Sequence, residues 1–306
     1  WLASLRNGVT STGATSIFFA ISQTDDPTGI WDYYSFLADP AATSFADWVL
    51  LGYNSTWITI TANMFTTPAG ASFLGAKMWA IDKSTALVPG GPITVSVFAA
   101  GFMTAVHGSG GSSVHPARTL DGDPSLWLVN NGFTGTSTFL YQLTQMTGTG
   151  AAPVVSGLAG SPFGGATSFC YSGTPYTGTQ RTMAQVGEAR FITPFSVRIG
   201  SVAVRNGKIW VANSGGLPGP TTNAAPTSNG IIWNVIDPTL PFPGTPGAAG
   251  SMVVQSGGIT DGVNTMSMYP SIAVNCAEDV LIGFANGNST ISPRACYTMR
   301  LGSDAP

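Results

Sequence analysis

Few residues in this chain have the type and setting for chemistry. Glycoside hydrolysis needs two carboxyl groups on opposite sides of one sugar, one protonated and one ionised. Two positions are placed to supply one: Asp47, beside Trp48 at the start of an apolar stretch that reads as an innermost strand, and Glu188, two residues before Arg190. The other acidic candidates, Asp25, Asp26, Asp121 and Asp123, fall in turn-forming sequence, where an Asp side chain accepts hydrogen bonds from its own backbone. Arg118, Arg190, Arg198 and Arg300 are the cations that could gather around an anionic group, but no motif orders them. Trp31 and Tyr176 lie beside loop sequence and are the candidate platforms on which a sugar ring could stack, with Arg118 as a further ligand-binding candidate. Trp57, Trp127, Trp210 and Trp233 sit within strand sequence and read as core.

Metal and thiol chemistry find little support. His107 and His115 flank Gly108-Ser109-Gly110-Gly111-Ser112-Ser113 without a third ligand at fixed spacing, so they make a weak zinc case. Asp121-Gly122-Asp123 is compatible with a structural calcium, but calcium needs six or more oxygen ligands and a hairpin turn accounts for the motif. No cofactor is expected. The three cysteines, Cys170, Cys276 and Cys296, lack Cys-x-x-Cys spacing. Cys276 and Cys296 fall in one repeat and are the expected disulfide pair, with buried free thiols as the alternative. Two sequons, Asn54-Ser55-Thr56 and Asn288-Ser289-Thr290, are compatible with glycosylation in a secretory host.

The elements that must position these residues are strands. Charged residues are only 8% of the 306, against roughly 25% in an ordinary soluble domain, and 39 Gly and 21 Pro are spread along the chain. Glu188 and Glu278 are the only glutamates and Lys77, Lys83 and Lys208 the only lysines, so helices are expected to be few and short. Four stretches repeat one pattern, an apolar strand, a tight turn and a second strand ending in Asn: Thr61-Ala62-Asn63, Val129-Asn130-Asn131, Val211-Ala212-Asn213 and Phe284-Ala285-Asn286. A third apolar strand follows each, and often a fourth, which is the grammar of a propeller blade. The chain therefore reads as one all-β domain over 1–306, a β-propeller with about five blades or partial blades: a partial blade at 1–39, blades near 45–99, 113–157, 190–257 and 269–306, and a long loop at 158–189. A sandwich or a solenoid is the structural alternative. Because the chain opens directly in strand sequence, Trp1-Leu2-Ala3-Ser4-Leu5, the first blade is expected to lack a strand and to offer a sheet edge that another chain could complete.

Ser22-Gln23-Thr24-Asp25-Asp26-Pro27-Thr28-Gly29-Ile30-Trp31 resembles the Asp-box of sialidase-like propellers, with an extra Asp-Pro inserted and Gly29 two residues before Trp31. In that family the box folds a hairpin between outer strands away from the active site, so the resemblance implies architecture; a sialidase-like site would need clustered arginines and a Tyr nucleophile. Ala46-Asp47 to Asn54, Ala62-Asn63-Met64-Phe65, Ala80-Ile81-Asp82-Lys83 and Tyr269 to Asn275 are similar to secreted propeller-like proteins of unassigned function, and bring no catalytic residues. A net charge of −3 with scattered basic residues argues against nucleic acid. No apolar run approaches the roughly 18 residues of a membrane span. The reading is a secreted, extracellular or cell-surface protein, non-catalytic, serving structure, adhesion or recognition. Its expected partners are itself, another extracellular protein or a glycan. The alternative is a sialidase-like or other glycan-processing propeller enzyme.

Overall fold

The computed structural model describes residues 1–9, 14–67, 72–107, 111–134, 138–157, 169–171, 181–194, 197–217, 226–240, 252–262 and 264–304. Among these the chain is all-β, with helix confined to two short turns, α1 (Lys83–Ala86) and α2 (Phe102–His107). It divides into two compact units. One is Trp1–Leu128, Thr144–Leu158 and Gly165–Thr167; the other is Val129–Leu143, Ala159–Gly164 and Ser168–Pro306.

The first unit opens with a three-stranded antiparallel meander of β1 (Leu2–Val9), β2 (Ala14–Ser22) and β3 (Trp31–Leu37). Alternate residues Ile17, Phe19 and Ile21, with Tyr34 and Phe36, pack against Ile58, Ile60 and Trp79 of the next meander. That second meander runs in chain order through β4 (Ser44–Tyr53), β5 (Trp57–Thr66), β6 (Phe73–Asp82) and β7 (Val95–Phe98). Strand β5 is buried from Trp57 to Met64, as a strand covered on both faces must be, which is why its sequence is apolar or small at consecutive positions. Short strands β8 (His115–Pro116) and β9 (Arg118–Thr119) precede the third meander, β10 (Leu126–Thr134), β11 (Thr138–Thr149) and β12 (Ala152–Gly157). Strands β10 and β11 contribute residues to both units, and β13 (Phe169–Tyr171) pairs with β11.

In the second unit β14 (Met183–Gln185) and β15 (Glu188–Ile192) form a hairpin of their own about Gly187, whose φ of +68° suits glycine. The fourth meander is β16 (Ile199–Arg205), β17 (Lys208–Leu217), β18 (Ser228–Ile236) and β19 (Val253–Ile259); the fifth is β20 (Met266–Val274), β21 (Val280–Gly287) and β22 (Arg294–Arg300). Five successive antiparallel meanders of three or four strands make the all-β, blade-like architecture expected from the repeats. The fourth begins at Ile199, not at 190, because Met183–Gln185 gives Glu188–Ile192 a separate partner.

The expected Cys276–Cys296 bridge is absent, and both thiols are free. Register explains this: Cys296 lies opposite Phe284, whereas Cys276 sits in the turn before Val280, which faces Arg300. Four residues of strand, roughly 13 Å, separate the two levels, beyond the reach of a disulfide. Cys276 is exposed and Cys296 half-buried.

One device recurs in these meanders. The ladder between the first and second strands slips at Asp47/Leu50, at Ile199/Ser201 and at Met268/Ser271. Two of these bulges hold an aromatic residue at positive φ, Trp48 at +55° and Tyr269 at +57°. One of the repeated asparagines stands at or next to each slip: Asn63 faces Asp47 and Asn213 faces Ile199 at its edge, and Asn286 faces Ser267, one residue before it. All three are buried. Asn63 accepts from the Ser113 backbone N–H at 2.7 Å and donates to its hydroxyl at 3.1 Å. Asn213 accepts from the Tyr141 hydroxyl at 2.6 Å, and that hydroxyl in turn accepts from Asn234 at 2.8 Å.

Asp39 performs a similar service before β4. Its carboxylate accepts from the backbone N–H groups of Ala41, Thr43 and Ser44 and from the hydroxyls of Thr43 and Ser44. Burial alone would raise its pKa, but these donors outweigh it and hold the carboxyl at about 2, against an ordinary 3.8.

Two predictions follow from these contacts. Replacing Asn213 by Ala should cost about 2 kcal/mol in denaturant unfolding, because the Tyr141 hydroxyl is left buried without its acceptor. Adding Tyr141→Phe should then cost less than it does in the parent, so the cycle is non-additive; strict additivity would remove the assigned bond. Asp39→Asn should lower stability at neutral pH by about 1 kcal/mol, after discounting for solvent screening. A folded pKa depressed below the unfolded one gives stability that is present above about pH 4 and lost as pH falls toward 2. The gap between variant and parent should therefore close over that interval in a pH series of unfolding midpoints.

Candidate functional site

A cleft of about 840 Å³ in the first unit opens where the Ser22–Trp31 turn, the end of β4, α1 and β9 meet. The turn is built by local bonds. Asp26 accepts from the Thr28 N–H at 2.8 Å and its hydroxyl at 2.7 Å, Gln23 N–H donates to Ile30 O, and Trp31 Nε1 donates to Pro27 O at 2.9 Å. Trp1 Nε1 donates to Asp25 O at 2.7 Å, so the Trp1 ring lies along the cleft while remaining largely exposed.

Gly52 brings the opposite wall together. A Cβ there would lie 2.5 Å from the carbonyl of Pro116, so only glycine lets β4 approach this segment. Tyr53 N–H then donates to Ala117 O at 3.0 Å, and Tyr53 pairs with Arg118 in parallel register. Lys83 arrives from α1, which Asp82 caps by accepting from Ser84 N–H at 2.9 Å. Its ammonium donates to Asn54 O at 3.0 Å and lies 5.7 Å from the Tyr53 ring centre. Burial lowers the Lys83 pKa from its ordinary value. Leu2, Ile21 and Leu51 supply apolar lining, and Gln23, Thr24 and Asp25 polar groups. The cleft thus carries two aromatic rings, two cations and one carboxylate.

Of the residues singled out in the sequence, Arg118 stands in this cleft. Trp31 is half-buried and fastens the turn through its indole N–H, so it works as a clasp and not as a bare platform. Tyr176 lies outside the described residues. Asp47 is paired with Arg6 at 3.5 Å, and its side chain is 47% exposed. It precedes cleft-lining Leu51 by four strand residues, on the order of 10 Å. Glu188 pairs with Arg190 at 3.2 Å on the β14–β15 hairpin and also accepts from the Ala189 N–H. The bond from Arg190, followed by the backbone donors, lowers the Glu188 pKa. The pair therefore closes on itself, with the Arg190 side chain 84% exposed.

Asn54 does not offer a glycan its amide nitrogen. It is 1% exposed; Nδ2 donates to Pro124 O at 3.0 Å and Oδ1 accepts from Thr56 and Trp57 N–H. The sequon is here a turn that ends β4. Asn288 also makes a turn, accepting from Thr290 and Ile291 N–H, but is only half-buried. His107 Nε2 lies 2.6 Å from Thr144 Oγ1 and His115 Nδ1 lies 2.9 Å from Pro116 O, both buried. Asp123 accepts from Ser125 N–H at 2.8 Å. Among the described residues no group of three His, Cys, Asp or Glu could hold a metal ion.

No family model and no curated protein matches this chain. Its fold is similar to solved glycoside hydrolase structures. An endo-arabinase from Bacteroides thetaiotaomicron VPI-5482 aligns over 97% of this chain and 88% of its own, with 11% identity and a TM-score of 0.41. A thermostable family-43 glycoside hydrolase aligns over 98% of this chain and 85% of its own, with 11% identity and a TM-score of 0.37. No residue role is carried over from either.

Sequence reasoning passed over Lys83, Tyr53 and Trp1 as site residues. The available signal was Gly52, an interior strand glycine, which marks a close approach of another backbone.

Proposed function

We propose that the chain is an extracellular carbohydrate-recognition protein whose ligand lies in the cleft of the first unit. The observation that supports this reading is the cleft itself: its volume falls in the range of small-ligand sites, with the Trp1 and Tyr53 rings beside hydrogen-bonding side chains. Aromatic faces give area for the apolar face of a sugar, and polar neighbours meet its hydroxyls. The lining holds one carboxylate, Asp25, whereas hydrolysis by either stereochemical route needs two across one bond. An extracellular setting accords with the scarcity of lysine. The test is a glycan array followed by calorimetry on the best ligand. Trp1→Ala, at a side chain too exposed to govern folding, should weaken binding by about tenfold; unchanged affinity would place the ligand elsewhere.

A second reading, glycan processing, is favoured by the bulge at Asp47. Positive φ in a tryptophan is strained and such strain collects at functional positions, and a bulge re-aims the side chains beside it. In this reading Asp47 is one of the reacting carboxyls. The parent should then release reducing sugar from some member of a panel of neutral and acidic polysaccharides. Asp47→Asn should abolish that release by about a thousandfold or more while leaving ligand binding in the cleft unchanged. Release that survives the substitution, or none by the parent, would sink this reading.

A further inference from the structure

We propose that the cleft selects an acidic saccharide, one bearing a carboxylate or a sulfate, and that Lys83 and Arg118 read that group. The inference rests on the reading of the cleft as a saccharide site and names the ligand class. Lys83, Arg118 and Asp25 are the charged side chains of the lining, so the cations outnumber the carboxylate. They come from separate elements, α1 and β9, and both border Tyr53: Arg118 through strand register, Lys83 through its ammonium over the ring. The two cations therefore line the cleft beside the same aromatic residue.

Their chemistry is complementary. The guanidinium is a planar fork that matches two oxygens of a carboxylate or sulfate, while the ammonium is a compact charge with three donors. Asn54 O takes one Lys83 donor, at 3.0 Å. Partial burial makes a charge–charge contact at this ammonium stronger than at a fully hydrated lysine. The same burial is what lowers its pKa. Asp25, the one opposing charge, accepts from the Trp1 indole N–H through its backbone carbonyl and its residue is exposed, so water screens its carboxylate.

The test compares oligogalacturonate with its fully methyl-esterified form, and a sulfated galactan oligosaccharide with its desulfated form, by calorimetry on the whole chain. The acidic member of at least one pair should bind about tenfold or more tightly than its neutral counterpart. That advantage should shrink between about 50 and about 500 mM NaCl, where the Debye length falls from roughly 14 to roughly 4 Å. The pair that shows it tells a carboxylate ligand from a sulfate ligand. Arg118→Met and Lys83→Met should each weaken binding of the acidic member more than that of its neutral counterpart, so that the ratio between the two falls toward one, and Lys83→Arg should keep the preference. Should Lys83→Met unfold through loss of the Asn54 contact, Arg118→Met and the salt series still decide. Equal affinity for acidic and neutral members overturns the selectivity and leaves carbohydrate recognition standing. Failure of every oligosaccharide to bind overturns both. A preference that survives Arg118→Met overturns the assignment of Arg118.

Discussion

The structure depends on a conflict that each bulged meander has to resolve. A bulge in the first strand breaks the ladder to the second, and the backbone groups and side chains around it become buried without regular partners. Charged groups would be too costly to desolvate there, and apolar ones would satisfy nothing. Asparagine carries a donor and an acceptor on one short neutral side chain, and it is the residue found at two of the slips, Asn63 and Asn213, and next to the third, Asn286. At Asn63 and Asn213 a neutral amide uses both its donor and its acceptor inside the core, with no charge to desolvate. Trp48 and Tyr269 sit at positive φ inside two of these bulges, and Tyr269 is tied there by its N–H to the Ser214 hydroxyl.

How much of this was legible depended on whether the partner lay nearby in sequence. The meanders were readable because each is made of adjacent strands and turns, and the asparagines were readable as a repeat. Their role was not: Asn at a strand end suggests a turn cap, whereas Asn213 is fully buried and bonded to Tyr141, which lies far off in the chain. Asn54 shows the reverse error, a surface signature on a residue whose amide is committed to Pro124. Read from sequence, the β14–β15 hairpin is split, with Met183–Gln185 in the long loop and residues 190–192 in a blade, because a single strand pattern does not disclose which neighbour it joins. The cleft was the hardest feature to see, since Tyr53, Lys83 and Arg118 meet only because Gly52 permits a backbone approach that no local pattern announces.

The acidic residues tell a consistent story about chemistry. Asp26, Asp39, Asp82, Asp123 and Asp237 each accept from a backbone N–H a few residues on, and Asp279 accepts from Gly302. Such carboxylates replace missing backbone partners in turns, and in Asp26, Asp39 and Asp279 these donors lower the pKa. A general acid requires the opposite, a carboxyl held protonated by apolar surroundings or a like charge. The one direction observed among the shifted carboxyls of the described residues is downward, in Glu188 and Glu278 as well.

That pattern bears on what a ligand would feel. In a highly charged protein two cations in a cleft are diluted by many neighbours of both signs, and their contribution to selectivity is small. Here charged residues are 8% of the chain, and the cleft lining carries Asp25 as its one carboxylate beside Lys83 and Arg118. The local field is then set chiefly by groups within a Debye length, roughly 8 Å at physiological salt. On the proposed reading, a sparse charge complement lets the Lys83 and Arg118 pair weigh heavily in which saccharides the cleft distinguishes.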